Sequence, residues 1–258
     1  MPAQLATETA PDAPVGPGVV ALRVVGGLLA ATMVVLGTGG VIAGFFRQSR
    51  TETHEYAAPV TAVTVQATTG SITVHAGSPG SPVRVVSRLT WSFGKATSVE
   101  RVVDGRLDVE ARCGNSVVGL CEVSYEITVP PAVPLVLGTH TGTIDASGLT
   151  GDVTATTHTG SVELHDLRSQ RVEATTSTGS VELGFVTPPA DVTAETSTGS
   201  VDVALPGEVS YAISASTSTG STDVTVPTDP AAPRHVRAHT STGSVEVHPY
   251  APGQDSSD

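Results

Sequence analysis

The sequence is poor in the residues on which most catalytic and recognition sites depend. Aromatic residues make up 3% of the 258 residues, and Trp91 is the only tryptophan, which argues against an aromatic platform for sugars. Lys95 is the only lysine, and the formal net charge of −12 argues against nucleic acid as a partner, because phosphate backbones are repelled. No serine lies in a Gly-x-Ser-x-Gly elbow, and the cysteines have no further ligands at zinc-site spacing. We therefore expect no enzyme activity and no cofactor.

The residues that are abundant favour β structure. Hydrophobic residues reach 39%, and with so few aromatics the core must consist mainly of valine, alanine, leucine and threonine. Branching at Cβ restricts the rotamers of valine, isoleucine and threonine, and this favours strands over helices. The 27 glycines and 18 prolines supply turns. The composition therefore predicts an all-β protein outside any membrane segment.

One long apolar segment lies near the N-terminus. Residues 24–46 are 23 residues without a charge, flanked by arginines on both sides. As a helix they would span about 34 Å, enough to cross a hydrocarbon core of about 30 Å. We predict one transmembrane helix over residues 18–47, preceded by a disordered tail over residues 1–17. A cleaved signal peptide is the alternative, although no convincing Ala-x-Ala cleavage site follows the segment.

Two opposing signals bear on the side of the membrane that the C-terminal part occupies. One arginine precedes the apolar segment and two follow it, which slightly favours a cytoplasmic location. Cys113 and Cys121 could be two buried thiols or a disulfide that closes a short loop, and disulfides persist outside the cytosol. We expect the disulfide, and with it a single-pass protein of the cell membrane whose C-terminal domain is extracytoplasmic.

A short turn recurs six times in the second half of the sequence and once earlier. Its six late glycines are 18 to 23 residues apart, and alternating apolar and polar residues flank each turn, which is the period of a half-buried strand. The fixed glycine indicates a positive φ or a close approach between coils. The turns are His140–Asp145, His158–Glu163, Ser177–Glu182, Ser197–Asp202, Ser218–Asp223 and Ser241–Glu246, with Thr68–Thr73 as the earlier relative.

The repeat length predicts a β-solenoid. Two short strands and two turns account for about 20 residues per coil, and stacked coils pair their strands about 4.8 Å apart. We predict a solenoid over residues 136–249, with Val181, Val201 and Val245 in one inward column. A meander of antiparallel hairpins, each turning at Thr-Gly, is the alternative. Threonines at the turns would form a second column whose hydroxyls satisfy turn amides: Thr141, Thr159, Thr178, Thr198, Thr219 and Thr242.

The stretch before the repeat carries less regular strand signals. Asp104-Gly105 lies between two alternating runs and predicts a hairpin. Residues 123–129 alternate and end at two prolines, which is typical of a strand. We predict a linker over residues 48–57 and an irregular β cap over residues 58–135 that shields a sheet edge. Residues 250–258 are expected to be a second disordered tail.

Three features occur together: the apolar segment followed by the alternating residues 60–65, the cysteine pair leading into residues 123–130, and the Thr-Gly-Ser-Val-Glu array. This combination resembles the bacterial putative-adhesin family, a membrane-anchored β-strand-repeat domain of unknown function. The resemblance implies an extracytoplasmic domain on a membrane anchor, and some relatives are linked to envelope stress responses. It implies no ligand and no catalytic residue. Many relatives have Gly-Ser-Gly-Asp at the turn, so this chain departs from the family pattern there.

Two groups of side chains are candidates for ion binding. The acids of the turns would stack into one outward column, where Ca²⁺ could bridge neighbouring carboxylates. Each coil offers a single acid there, so a solvated, solubilising face is the alternative. Glu163, His165 and His158 are the candidate transition-metal ligands, although histidine and serine alternate at the turn as at a tolerant surface position. The column comprises Asp145, Glu163, Glu182, Asp202, Asp223 and Glu246.

These features predict a non-enzymatic, membrane-anchored extracytoplasmic protein. The first hypothesis is an adhesin-like binding or scaffold module with a cell-envelope or protein partner, because the solenoid would hold a long, rigid, hydroxyl-rich surface at the membrane. The second is an accessory or sensor protein in the envelope stress response, which the family resemblance alone suggests. The third is a calcium-binding surface repeat.

Overall fold

The computed structural model describes residues 47–57, 59–114 and 121–251. The predicted N-terminal tail lies outside these ranges. The predicted transmembrane helix also lies outside them, except for Arg47, and so does the predicted C-terminal tail, except for its first two residues. Within the described ranges, no helix combines the length and the apolar character needed to cross a membrane.

The described part of the chain is all-β and contains nineteen strands. Most of them alternate between buried and more exposed residues, as the sequence pattern predicts. They are β1 (Gln48–Tyr56), β2 (Ala62–Thr69), β3 (Ile72–Ala76), β4 (Val83–Trp91), β5 (Ala96–Val103), β6 (Arg106–Cys113), β7 (Cys121–Val129), β8 (Leu135–Thr141), β9 (Ile144–Ser147), β10 (Val153–Thr159), β11 (Val162–Leu167), β12 (Arg171–Thr178), β13 (Val181–Phe185), β14 (Asp191–Thr198), β15 (Val201–Leu205), β16 (Ala212–Thr219), β17 (Thr222–Val224), β18 (His235–Thr242) and β19 (Val245–Pro249).

The strands form two sheets that enclose one apolar core. Sheet A has ten strands in the order β1-β4-β7-β3-β9-β11-β13-β15-β19-β17, and sheet B has nine in the order β16-β18-β14-β12-β10-β8-β2-β6-β5. Each Thr-Gly turn carries the chain from a strand of sheet B to a strand of sheet A. From β8 to β19 the pairing between neighbouring coils is parallel. This pairing agrees with the solenoid and not with the antiparallel meander.

The inward-facing residues form columns, because equivalent positions of neighbouring coils pair in register. Val181 pairs with Val201 and Val201 pairs with Val245, and all three are buried, which confirms the predicted column. Burying one such side chain stabilises the fold by about 1.5–3 kcal/mol. The core is therefore built mainly from stacked aliphatic side chains, as the low aromatic content requires.

The stack of coils begins earlier in the chain than residue 136. β2 pairs in parallel with β8 and β3 with β9, so residues 62–76 form a complete coil, whereas the sequence pattern places them in the cap. β6 and β7 form a further coil, parallel to β2 and β3. In that coil a disulfide between Cys113 and Cys121, with Cα atoms 6.0 Å apart, stands where the others have a Thr-Gly turn. The earlier turn at Thr68–Thr73 is the sequence signal for the first of these coils.

Antiparallel strands lie at the end of the stack that contains β6 and β7. β1 pairs with β4 and β4 with β7 in sheet A, while β5 pairs with β6 in sheet B. Asp104 and Gly105 both have positive φ between β5 and β6, which confirms the predicted hairpin. Residues 48–56, predicted as linker, form β1 instead. Their charged sequence lacks the pattern of a buried strand because β1 is a largely exposed edge strand.

At the opposite end, the coils are not stacked in sequence order. The β18–β19 coil lies between the β14–β15 coil and the β16–β17 coil. The connection from β17 to β18 contains Pro227, Pro230 and Pro233, which cannot donate backbone hydrogen bonds to a ladder. Part of it packs beside the buried Tyr211, whose amide donates to the carbonyl of Pro227. This connection lets the chain pass the β16–β17 coil and return to an inner position.

Candidate functional site

Each Thr-Gly turn places its glycine against the backbone of the neighbouring coil. Seven of these glycines have φ between 136° and 147°, a region that residues with a side chain rarely adopt. A Cβ at Gly179 would lie 2.5 Å from the carbonyl carbon of Gly160, well inside van der Waals contact. The fixed glycine therefore serves both purposes that the sequence suggested, a positive φ and a close approach between coils.

A threonine three residues before the glycine ties each coil to its neighbour. The hydroxyl of Thr176 donates to the carbonyl oxygen of Gly160 at 2.8 Å, and the equivalent bonds elsewhere measure 2.9 to 3.1 Å. Because these hydroxyls are mostly buried, they satisfy carbonyl groups that water reaches poorly. The donors are Thr139, Thr157, Thr176, Thr196, Thr217 and Thr240.

This threonine ladder corrects the predicted role of the turn threonines. The predicted column, represented by Thr178 and Thr198, is in register but exposed to solvent. The hydroxyls that bond across coils come from the threonines two positions earlier, and they donate to carbonyls rather than accept from amides. Sequence reasoning missed this second set, although the recurrence of Thr-x-Thr-Gly in six turns was its signal.

The outer face of sheet B carries a repeated array of hydroxyl groups, here named the hydroxyl face. Outward positions fall in columns because the parallel strands pair without a shift. His140 and His158 occupy two positions of one column and stack with ring centroids 4.8 Å apart. The hydroxyl face comprises Thr154, Thr156, Thr175, Ser177, Thr193, Ser197, Ser214, Ser216, Ser218 and Ser241.

The outer face of sheet A carries the predicted column of acids. Each acid is the direct strand partner of the next, so six carboxylates follow one another at intervals of about 4.8 Å. The order of the acids along the sheet differs from their order in the sequence, because the β18–β19 coil lies before the β16–β17 coil in the stack. This acid column runs Asp145, Glu163, Glu182, Asp202, Glu246 and Asp223.

The acid column is electrostatically strained at two positions. Burial, together with the like charges of Asp145 and Glu182, raises the pKa of Glu163, and His165 opposes this effect. Burial also raises the pKa of Asp202, with His248 opposing and neighbouring carboxylates adding to the rise. A carboxylate whose charged form is disfavoured in this way is stabilised by a nearby cation or by taking up a proton.

The predicted transition-metal residues do not converge on one point. Glu163 and His165 lie on β11 in sheet A, whereas His158 lies on β10 in sheet B. There His158 stacks on His140, and its Nδ1 atom lies 3.1 Å from the hydroxyl of Ser177. Among the residues that the structure describes, the group with converging ligand atoms is a different one.

That group consists of Asp202, Glu246 and His248, whose ligand atoms all lie within 4.8 Å of one another. His248 Nε2 is 3.0 Å from Asp202 Oδ1, and His248 Nδ1 is 3.1 Å from the carbonyl oxygen of Pro249. Burial lowers the pKa of His248, but the Pro249 carbonyl and the two carboxylates outweigh burial and raise it. Sequence reasoning missed this group because Asp202 and Glu246 meet only through the non-sequential stacking of their coils.

A polar network anchors β1 at the other end of sheet A. The carboxylate of Glu100, 7% exposed, accepts a hydrogen bond from the hydroxyl of Tyr56 and lies 2.9 Å from His54 Nδ1. Ser98 bridges Glu100 and Tyr125 with contacts of 3.3 Å. Burial raises the pKa of Tyr125 to about 12 and, with Glu100, raises that of Tyr56. All five side chains are occupied by one another, which is the arrangement of a structural network rather than of an open site.

Comparison with known proteins relates the repeat to a known family. Residues 135–248 match the family model described as Toastrack DUF4097. The resemblance to a family of β-repeat domains grouped as putative adhesins is confirmed. A search among curated proteins found no match to the sequence.

Solved structures that match the chain do so at low sequence identity and with TM-scores below 0.5. A putative cell adhesion protein from Clostridium sporogenes ATCC 15579 is 11% identical with a TM-score of 0.39, and the match covers 78% of this chain and 99% of that one. A putative adhesin from Bacteroides fragilis NCTC 9343 is 14% identical with a TM-score of 0.40, covering 77% of this chain and 96% of that one. A putative adhesin from Parabacteroides distasonis ATCC 8503 is 11% identical with a TM-score of 0.28, covering 78% and 97%.

Proposed function

We propose that this protein is a non-enzymatic, membrane-anchored module that binds a component of the cell envelope from outside the cytoplasm, in the manner of an adhesin or scaffold. The observation that carries the proposal is the hydroxyl face of sheet B. It presents short hydroxyl side chains on five neighbouring parallel strands of the two-sheet stack, interspersed at equivalent outward positions with Glu173, Glu195, Arg237 and His239.

The chemistry of the hydroxyl face suits weak, repeated hydrogen bonding. A serine or threonine hydroxyl can both donate and accept, so it fits hydroxyl and amide groups of a polymer in either orientation. A single contact of this kind contributes about 0.5–1.5 kcal/mol. Once one contact holds a polymer, the next contacts form at a high effective concentration, so that the affinities of repeated contacts reinforce one another. A partner with its own repeat, such as an envelope polymer, would therefore gain more than a small molecule.

Two further observations support a location outside the cytoplasm at a membrane. The structure joins Cys113 and Cys121 in a disulfide, a bond that persists in oxidising compartments. The uncharged residues 24–46 are long enough to anchor the chain in a bilayer. The stack described here would then begin directly after the anchor, with β1.

The proposal is tested by retention of the purified full-length chain on envelope fractions. The double variant Ser197→Arg/Ser241→Arg places two large cations on neighbouring strands in the middle of the hydroxyl face, where both serines are exposed. Retention should fall at least about tenfold, the effect of losing about 1.4 kcal/mol. Whole-cell protease accessibility of residues 47–251 should show the stack outside the cytoplasm.

The matched control adds the same charge elsewhere. In Ser221→Arg/Thr225→Arg, the two exposed residues that flank β17 are replaced, and retention should stay at the wild-type level. Equal loss in both double variants would point to a charge effect and contradict the assignment of the hydroxyl face. Failure of the wild type to be retained on any envelope fraction would contradict the binding function itself.

The acid column favours calcium association as a second candidate function. Its carboxylates lie at intervals that let one ion contact two neighbours, and the pKa of Glu163 is raised by burial and by the charges of Asp145 and Glu182. Millimolar CaCl₂ should raise the thermal midpoint of the wild type and have less effect on Glu163→Gln. A midpoint that does not respond to calcium would eliminate this candidate and leave the hydroxyl-face proposal untouched.

A further inference from the structure

We propose that Asp202, Glu246 and His248 form a binding site for one divalent transition-metal ion of the Zn²⁺ type, held between the β14–β15 and β18–β19 coils. Glu246 and Asp202 are direct partners in the β15–β19 ladder, and His248 lies two residues beyond Glu246 on the same face. One strand therefore supplies two ligands and the neighbouring strand supplies the third. The inference does not depend on the hydroxyl face, which lies on the other sheet.

The hydrogen bond to Pro249 sets the state of the imidazole. A carbonyl oxygen can only accept, so His248 Nδ1 carries the proton in this contact of 3.1 Å. In the neutral ring this leaves Nε2 with a lone pair, and that lone pair faces the carboxylate oxygen of Asp202 at 3.0 Å. A divalent cation bound there would take the place of the proton that otherwise joins His248 Nε2 and the Asp202 carboxylate. A backbone carbonyl that fixes the outer nitrogen is also the usual arrangement around metal-bound histidines.

The strand partner of His248 leaves room for its ring. Ala204 is the strand partner of His248, and its methyl group is small enough for the imidazole to lean across the ladder towards Asp202. Tyr250 lies beyond it, its ring passing over Gly184 and its hydroxyl donating to Asp166 Oδ1 at 2.7 Å. Tyr250 is thus held against the neighbouring coils, and the site is open on the side of the exposed Glu246.

The donor types fit a transition metal better than calcium or magnesium, and the separation of the ligand atoms can be brought to transition-metal distances. Two ligands bound at about 2.0–2.2 Å can be at most about 4.4 Å apart, so a separation within 4.8 Å closes by a small rotation of the exposed Glu246. One imidazole nitrogen with two carboxylates suits Zn²⁺ and similar ions, whereas Ca²⁺ and Mg²⁺ prefer oxygen ligands throughout. Water would complete the coordination.

The chain offers a matched comparison within itself. Glu163-Leu164-His165 on β11 has the same Glu-x-His spacing as Glu246-Val247-His248 on β19. In β11, however, the two side chains do not belong to the converging group. Glu163 also has acids on both sides, Asp145 and Glu182. The difference is that His248 reaches the neighbouring Asp202, whereas His165 joins no such group among the described residues. Binding should therefore follow this three-residue geometry and not the Glu-x-His motif alone.

The test is calorimetric titration of ZnCl₂, CaCl₂ and MgCl₂ into the full-length chain after removal of metals with a chelator. We expect one Zn²⁺ per chain and a higher thermal midpoint in its presence, since an ion that binds only the folded state stabilises it. His248→Ala should weaken Zn²⁺ binding by more than about 100-fold, because even residues that only orient a ligand are worth about 10–100-fold. His165→Ala should bind like the wild type.

Three results would overturn the proposal: no Zn²⁺ binding by the wild type, undiminished binding by His248→Ala, or an equal loss in His165→Ala. If His248→Ala does not fold, Asp202→Asn replaces it. A long-range ¹H–¹⁵N spectrum of the wild-type histidines decides independently of any variant. Saturating Zn²⁺ should then shift the Nε2 resonance of one histidine, and a spectrum that does not change would refute the site.

Discussion

Replacing Gly179 with alanine tests the idea that the turn glycine is what allows two coils to stack. The added Cβ would lie 2.5 Å from the carbonyl carbon of Gly160, so the two coils must separate locally by about 1 Å to restore ordinary contact. The hydrogen bonds that cross this junction beside the glycine include three to backbone carbonyls, from the amide of Gly160, the amide of Val162 and the hydroxyl of Thr176. Losing them costs about 3 kcal/mol at about 1 kcal/mol each, and the positive φ adds about 1 kcal/mol or more.

The expected destabilisation of Gly179→Ala is therefore about 4 kcal/mol, the sum of these two terms. For a domain of this size, about 2–4 °C accompany each kcal/mol, which gives a fall of about 8–16 °C in the thermal midpoint. Circular dichroism in the β region measures the midpoint. Hydrogen exchange should accelerate first at the amides of β11 and β13, because the damage is local to one junction.

Gly80→Ala is the control for this prediction. Gly80 also has a positive φ, 78°, but a Cβ there would meet no atom within 4 Å. It should cost about 1 kcal/mol, through backbone strain alone. If the two variants have the same midpoint, the close approach between coils does not matter, and the explanation offered for the repeated glycine is wrong.

Other predictions concern the threonine ladder, the network beneath β1 and the acid column. Thr176→Val should lower the free energy of unfolding in chemical denaturation by about 1–2 kcal/mol, because a buried carbonyl loses its donor. Thr178→Val, at an exposed position, should leave it unchanged. The reverse order would assign the threonine ladder to the other set of threonines. Glu100→Gln should speed hydrogen exchange of the β1 amides, because the Gln amide replaces a charged acceptor. Glu55→Gln should leave this exchange unchanged. Equal protection of the β1 amides in both variants would contradict the role of Glu100 in anchoring β1. Glu163 has a folded-state pKa above its unfolded value, so its contribution to stability is fully present at acidic pH and is lost as pH rises through the folded pKa. Glu163→Gln should accordingly be more stable than the wild type at neutral pH and lose that advantage on acidification; an advantage that persists at acidic pH would exclude charge crowding as its cause.

The repeat made much of the architecture predictable. Glycine at a fixed position and alternating residues on both sides determine a turn between two half-buried strands, and from these follow the parallel coils and the column of Val181, Val201 and Val245. The hairpin at Asp104-Gly105 was equally predictable, because its backbone requires positive φ at both residues. Such features can be predicted from the sequence because they depend on residues that are close together in it.

What could not be predicted depends on contacts between distant segments. β1 carries no apolar alternation, and it becomes a strand because β4 offers it an edge and Glu100 holds Tyr56. The order of the last two coils cannot be read from the repeat, because every coil from β8 to β19 presents the same threonine and glycine to either neighbour. For this reason the acid column was predicted but the meeting of Asp202 with Glu246 and His248 was not.

The inserted β18–β19 coil has a consequence for how the molecule can be assembled. Synthesis delivers the β16–β17 coil before the coil that separates it from the rest of the stack, so ordered growth from one end cannot give the native arrangement. The earlier coil must either wait without a ladder partner or dock directly on β14 and β15 through the same turn contacts and later be displaced. The native order of the coils is therefore selected by the proline-containing connection and by the contacts of the β18–β19 coil. Because the coils present equivalent surfaces to one another, the same contacts that let them stack also allow a competing, mis-stacked form.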